Sequence, residues 1–519
     1  MRMKFNKRVV TAVAVAAAAA LNSAIAGNDL NPDSLELLPL PAPVEFKSDM
    51  DRPVTFDSSS VVTLDCPDAS AADWLAKRFK EWYGKGAPAV VAGKCSLSVK
   101  NGDEAYAVEA GTQGVKIAAR TIAGTRWAAY TIRQLAIAKR GTSTVEGHIL
   151  PSLSISDAPR LQFRGMHLCW FPEVRFRQIE RVVRLAALLK FNYVVIEPWG
   201  TWECRRNPWW GWPDTPMTKD VIKRLVAIGR DMGVTIVPQF NAFGHGSASR
   251  SCSLKHSVLD LHPERSVLFE PGGWNWCITN PEAQRTIREI IEEMYDDFGR
   301  PPFFHLGCDE AQPPGCPECR KVPYGELVCR HVSDIAAVVK TLGARPMIWH
   351  DMLLDKEDPR WQGFTKYGSK ATCILADRLP RDMVICDWQY HAKGAEIGRW
   401  PTMEHFMEKG FSVVGCPWRN FSAMESMAAF LSERKCFGML GTTWHHLRGD
   451  DFVNMFTGVS SAAWGTSPGC LQGTNGDTPQ FNIRFGCALR MVGHDMKVSD
   501  YQDTGIVDFQ IPPSWWIDN

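Results

Sequence analysis

Residues 303–310 read Phe303-Phe-His-Leu-Gly-Cys-Asp-Glu310. An apolar run of strand length ends there in two adjacent carboxylates. Alternate residues of a strand share a face. His305, Gly307 and Asp309 are therefore expected to point into the core, with Glu310 where strand gives way to loop. Seven further apolar runs lie around it: Gly165-Met-His-Leu168, Tyr193-Val-Val-Ile196, Val234-Thr-Ile-Val237, Pro346-Met-Ile-Trp349, Val384-Ile-Cys-Asp387, Phe411-Ser-Val-Val414 and Phe437-Gly-Met-Leu440. Helical stretches intervene, among them Pro281 to Phe298 and Glu326 to Leu342. This alternation predicts an α/β fold, a (β/α)8 TIM barrel spanning residues 160–468. A doubly wound open sheet is the alternative, but no glycine-rich phosphate fingerprint opens the alternation.

Outward from the barrel the pattern changes. Residues 27–159 read as a small α+β domain. Tyr106-Ala-Val-Glu-Ala110 and Val115-Lys-Ile-Ala-Ala119 are strand-like around the turn Gly111-Thr-Gln-Gly114, and a helix is expected from Gly124 through Arg140. Residues 469–519, rich in Gly, Asp and Pro, read as a loop-dominated tail packed on the barrel. Residues 1–26 read as an export signal. Arg2, Lys4, Lys7 and Arg8 precede the apolar run Val9 to Leu21, and Ala24-Ile25-Ala26 is a small-x-small cleavage site. The run is too short to span a bilayer, and no later segment qualifies. The expected location is periplasmic or extracellular.

The 519 residues carry 58 Lys+Arg against 57 Asp+Glu, a net charge of +1, which speaks against a nucleic-acid surface as the main business. Export would permit disulfides among the 16 cysteines. Cys316-Pro-Glu-Cys319 has zinc-ribbon spacing without a second such pair. Cys308 and Cys329 keep a structural zinc or a local disulfide open, with a disulfide or a buried free thiol ahead of metal. No metal or organic cofactor is expected in the reaction.

In a barrel, active residues sit at the C-terminal ends of the strands. Those ends carry His167 to Trp170, Glu197-Pro-Trp199, Gln239-Phe-Asn241 with His245 just beyond, His305 to Glu310, Trp349-His-Asp351, Asp387-Trp388, Trp418 and Trp444-His-His446. Acids, imidazoles and indoles suit a sugar cleft more than a phosphate or metal site.

Here a resemblance becomes specific. His305-x-Gly-Cys-Asp309-Glu310 resembles the His-x-Gly-Gly-Asp-Glu motif of glycoside hydrolase family 20, the β-N-acetylhexosaminidases. Ala158-Pro-Arg-Leu-Gln-Phe-Arg-Gly165 resembles the entry to that family's first barrel strand, and Pro238-Gln-Phe-Asn-Ala-Phe-Gly-His245 its third-strand segment. Cys277-Ile-Thr-Asn-Pro281 is similar to the stretch introducing the helix before the catalytic strand. Glu104-Ala-Tyr106 and Gly124-Thr-Arg-Trp-Ala-Ala-Tyr130 look like its small leading domain. The resemblance implies exo-acting, retaining removal of a terminal β-linked N-acetylhexosamine from a glycan, the substrate's own 2-acetamido oxygen acting as nucleophile. It implies that Glu310 is general acid, then base, and that Asp309 holds the acetamido N–H. Trp349, Trp388 and Trp444 would be aromatic walls, Arg164 would bind ring hydroxyls, and His245 and His305 would support the site.

The departures fall around an intact acidic pair. Cys308 and Asn241 replace a Gly and an Asp, Glu197-Pro-Trp-Gly-Thr-Trp202 replaces the usual second-strand ending, and His446 stands where an acid is common. Glu197 and His446 are therefore specificity candidates, and His446 suits an anionic or sulfated sugar. Competing readings are a disaccharide-releasing relative, an enzyme for a modified hexosamine, and a secreted glycan-binding protein. A zinc hydrolase is more distant, since no His-Glu-x-x-His cluster occurs.

Overall fold

The computed structural model describes residues 39–140, 145–171, 174–198, 200–212, 217–247, 258–444, 449–465 and 479–496. The export signal, His446 and most of the tail lie outside these residues. The chain divides into two compact units, the first made of the residues up to Pro159 together with 477–491 of the tail, the second beginning at Arg160.

The first unit carries seven strands: β1 (Glu45–Phe56), β2 (Val61–Asp65), β3 (Ala89–Ala92), β4 (Tyr106–Gly111), β5 (Gly114–Ala119), β6 (Ile137–Arg140) and β7 (Val145–Asp157). They form one sheet in the order β1-β7-β4-β5-β2-β3, with β6 paired to β7. The expected hairpin is β4–β5. Helices Ala71–Tyr83 and Ile122–Leu135 complete the unit. The helix expected to run to Arg140 stops at Leu135, because Ala136 turns extended and Ile137 pairs with Ile149 in the sheet.

The second unit is an eight-stranded parallel barrel. Its strands are β8 (Phe163–Trp170), β9 (Tyr193–Pro198), β10 (Thr235–Pro238), β11 (Phe303–His305), β12 (Arg345–Trp349), β13 (Val384–Gln389), β14 (Ser412–Pro417) and β15 (Gly438–Thr442). Hydrogen bonding follows the order β10-β9-β8-β15-β14-β13-β12-β11. The gap between β10 and β11 is bridged just past the end of β10. Phe240 N donates to His305 O at 2.9 Å and Ala242 N to Leu306 O at 3.1 Å.

Inward-facing residues fill the barrel in layers. Phe163, Tyr193 and Phe303 plug the bottom, Phe163 stacked on Tyr193 at 4.3 Å. Val195, Val237, Met347, Cys386, Val414 and Leu440 form a dry middle. Above them the layer becomes polar and aromatic, with His167, Glu197, His305 and Trp349. Helices follow the strands with readable boundaries. Asn280 caps Pro281–Asp297 by accepting from Glu282 N and Ala283 N, with Pro281 in the first helical position. After β12 the only α-helix before β13 is the four-residue Leu375–Arg378, preceded by the single 3-10 turns Asp351–Leu353 and Pro359–Trp361, so residues 350–374 form a long excursion over the barrel mouth. In the tail, Pro479–Asp495 is helical where a loop was expected. Among the described residues no helix is long and apolar enough to cross a membrane.

Candidate active site

Strand β11 ends at His305, sooner than the alternation rule assumed. Gly307, Cys308 and Glu310 then adopt left-handed backbone, with φ of 64°, 69° and 51°. A Cβ on Gly307 would lie 2.3 Å from the Asn241 Oδ1 atom, so the β10 loop approaches as only glycine permits. Gly244 makes the reciprocal approach, its missing Cβ facing the Asp309 carbonyl at 2.0 Å. His245, Cys308, Glu310 and Trp444 are four of the eight described non-glycine residues with positive φ. Each costs about 1–2 kcal/mol, and such strain concentrates at functional sites.

This geometry gathers three carboxylates and a histidine. His245 Nε2 lies 3.4 Å from Asp309 Oδ2 and 3.7 Å from Glu310 Oε2. The Glu310 backbone N–H donates to Asp351 Oδ2 at 2.8 Å, and Trp274 Nε1 donates to the Glu310 carbonyl at 2.8 Å. Asp309 is buried, and its Oδ1 has no hydrogen-bond partner among the described residues. Burial raises the pKa of Glu310, and Asp309 adds to it; His245, Tyr367 and Lys366 pull the other way. Burial and Asp309 push Asp351 well above the usual carboxylate range. For His245, burial works against the proton, yet Asp309, Glu310 and Glu197 lift its pKa to about 9. Burial and Asp309 also raise the Cys308 thiol, which therefore stays protonated beside the acids.

Aromatic rings line the same mouth. Trp349 is fully buried, 4.3 Å from the His305 ring and 5.4 Å from Trp444. Trp444 also lies 5.1 Å from His167. Trp388 stacks on Tyr390 at 5.2 Å and meets His350 edge-on at 4.9 Å. His305 accepts from Gly307 N through Nδ1 at 3.0 Å, and burial with His167 nearby holds its pKa well below the usual value. It stays neutral and braces the turn. Its Nε2 is buried without a partner among the described residues.

Two expected assignments change. Arg164 is the second residue of β8, at the bottom of the barrel, on the face opposite to Phe163. It donates to the Lys190, Leu161 and Gln162 carbonyls and lies over the Trp464 ring. Both its strand position and its parity take it away from the mouth. Glu197 does reach the upper layer, but Asn241 occupies Oε1 at 2.5 Å, and His167 and Cys169 approach Oε2 at 3.1 and 3.5 Å. It organises the polar layer from within. A cavity of about 30 Å³ adjoins it, lined by Glu197, Trp210, Gln239, Asn241, His245 and Ser247 among others. That volume suits water, not a pyranose ring. Expected residues Asp309, Glu310, His245, His305, Trp349, Trp388 and Trp444 do converge; His446 lies outside the described residues.

Asp351, which the sequence places at the mouth as the end of Trp349-His-Asp351, had no role assigned to it, and Tyr367 was missed. Tyr367 sits on the long loop after β12 without a local motif. Its hydroxyl stands beside the Glu310 carboxyl, and burial followed by the Glu310 charge raises its pKa to about 12. Among the described residues, two groups could hold a metal by proximity. In His167, Cys169 and Glu197, the hydrogen bonds above account for the convergence. The other, Glu270 with Cys277, Cys316 and Cys319, lies apart from the acids.

Two family models match this chain: "Glycosyl hydrolase family 20, domain 2" over residues 34–158 and "Glycosyl hydrolase family 20, catalytic domain" over residues 199–421. Among curated proteins, a lacto-N-biosidase of Bifidobacterium bifidum is 24% identical over 222 residues, covering 41% of this chain and 18% of that protein. A β-hexosaminidase of Emericella nidulans is 22% identical over 349 residues, covering 60% of this chain and 52% of its own length. The chain thus spans about half or less of these relatives. Among solved structures, a Vibrio harveyi exo-β-N-acetylglucosaminidase superposes with a TM-score of 0.65 at 17% identity, covering 90% of this chain and 79% of that one. A Bacteroides fragilis β-N-acetylhexosaminidase gives 0.61 at 16%, covering 83% and 91%. The structural likeness carries the barrel fold, and the matched domains carry the lineage: this chain belongs to glycosyl hydrolase family 20.

Proposed function

We propose that the protein is an exo-acting, retaining glycoside hydrolase that removes terminal β-linked N-acetylhexosamine by neighbouring-group participation of the 2-acetamido group. The observation that carries this reading is the environment of Glu310: a part-buried carboxyl with a raised pKa, next to a buried Asp309 whose Oδ1 lacks a partner among the described residues. A proton donor for the leaving oxygen needs a pKa above that of a free carboxyl, and burial beside a second acid moves Glu310 in that direction. Asp309 Oδ1 is an acceptor waiting for a donor, which the acetamido N–H would supply. As that N–H is polarised, the acetamido oxygen attacks the anomeric carbon and forms the oxazolinium ion. Glu310 gives its proton to the departing oxygen, then takes one from the water that opens the ring. Trp349, Trp388 and Trp444 would supply apolar walls that exclude water from the ion.

The test is turnover of aryl glycosides. The wild type should cleave aryl N-acetylglucosaminides and leave plain aryl glucosides, which lack the internal nucleophile. Glu310→Gln should lose about 10²–10⁴-fold in kcat. Comparable rates on both glycosides would end the neighbouring-group reading, and full activity in Glu310→Gln would end the assignment of the acid. Similarity to a lacto-N-biosidase favours a second reading, in which a disaccharide is released. Product analysis on an oligosaccharide separates the two. Export, with cleavage after Ala26, belongs to the same proposal and is checked by the N-terminus of the mature protein.

A further inference from the structure

Three sulfurs and a carboxylate oxygen, from Cys277, Cys316, Cys319 and Glu270, all lie within 4.8 Å of one another, and all but Cys316 are buried. Cys277 Sγ stands 3.6 Å from Cys316 Sγ and 3.8 Å from Cys319 Sγ. A disulfide would need about 2.05 Å and could join only two of the three. Four-coordinate zinc with Zn–S bonds of about 2.3 Å separates its sulfurs by about 3.8 Å. The spacing is that of a metal cage. We propose that these four residues bind one structural zinc ion through three thiolates and the Glu270 carboxylate.

The surroundings fit that chemistry. Cys319 N donates to Cys316 Sγ at 3.2 Å, the bond that a Cys-x-x-Cys turn makes to its first sulfur. The Thr279 hydroxyl lies 3.1 Å from Cys319 Sγ. Gly315 N and Cys316 N both donate to Glu270 Oε2 at 2.7 Å, while among the described residues no N–H or O–H donates to Oε1. Binding releases the thiol protons to solvent. Three thiolates and one carboxylate against a divalent cation leave a local charge of about −2, which these donors offset. Thiolates favour a soft, tetrahedral ion, and four protein ligands leave no position for substrate water.

The ion would fasten two loops that hold Glu310. Glu270 and Cys277 bracket Trp274, whose indole N–H bonds the Glu310 carbonyl. Cys316 and Cys319 follow Gln312, which exchanges two hydrogen bonds with the Asn275 side chain at 2.6 and 3.1 Å. The cage is a positioning device at a distance from the acids.

Elemental analysis of the purified full-length protein tests the proposal. About one zinc per chain is expected, retained in Glu310→Gln and in the control Cys373→Ser, and lost in Cys316→Ser and Glu270→Ala. Chelation should lower the Tm and reduce kcat more than it raises KM. Should the cysteine variants fail to fold, cobalt(II) exchange into the wild type should produce thiolate-to-metal charge-transfer absorption. Substoichiometric metal after exposure to zinc would overturn the proposal. So would a non-reduced peptide map joining Cys277 to Cys316 or Cys319.

Discussion

The backbone N–H of Glu310 donates to Oδ2 of Asp351, a fully buried carboxyl at the end of the neighbouring strand β12. The bond pins a left-handed residue that carries the reacting side chain. Because burial and Asp309 raise its pKa, Asp351 serves as a neutral or shared-proton acceptor more readily than as a second free charge. Asp351→Asn keeps an acceptor oxygen in place and should retain most of the activity. Asp351→Ala leaves the Glu310 N–H unsatisfied and should cost about 1–3 kcal/mol of positioning, read as a roughly 10–100-fold loss of kcat with little change in KM. Equal losses in the two variants would mean that charge, not the hydrogen bond, is what matters.

Tyr367 stands beside the Glu310 carboxyl and favours its ionised form. Tyr367→Phe removes the hydroxyl, so the Glu310 pKa should rise further. The alkaline limb of kcat/KM, where the acid loses its proton, should move to higher pH by up to about one unit. A pH–rate profile on an aryl N-acetylglucosaminide reads this directly. A limb that moves to lower pH would show that the phenol stabilises the protonated acid.

These two residues mark where sequence reading stopped. The eight strands were legible because buried parallel strands are short continuous apolar runs. The Asp309-Glu310 pair was legible because it ends one of them. Tyr367 enters from a long excursion that carries no periodic signal, and its partner becomes visible only when the loop closes over the mouth. The Ile137–Arg140 segment misled because helix and strand patterns cannot be separated over so few residues; pairing with Ile149 decided it. The cysteine cage was half legible. The Cys-x-x-Cys turn was seen, but Glu270 and Cys277 come from a different loop, whereas Cys308 and Cys329, nearer in sequence, are not part of the cluster.

His245 couples the acids to stability. Its folded pKa of about 9 exceeds the ordinary 6.5, so the stabilisation is fully present below pH 6.5 and is lost as pH rises through 9. The shift corresponds to about 3 kcal/mol at most. Thermal unfolding of the wild type should show Tm falling over that window, and His245→Gln should flatten the slope. A variant that retains the wild-type slope would place the titration elsewhere.

Arg164 separates a role inherited by motif from one imposed by position. Its guanidinium serves three backbone carbonyls at the bottom of the barrel and covers Trp464. Arg164→Met keeps much of the apolar stem but strands those carbonyls, each at a cost of about 1–3 kcal/mol when buried without a partner. The folded fraction should therefore drop and the midpoint of denaturant unfolding should fall. The variant molecules that do fold should bind and turn over substrate with KM within about twofold of wild type, a change of less than 0.5 kcal/mol. If Arg164 instead held ring hydroxyls, KM would climb while the unfolding midpoint stayed in place. The two quantities move in opposite patterns, so one preparation measured both ways decides between them.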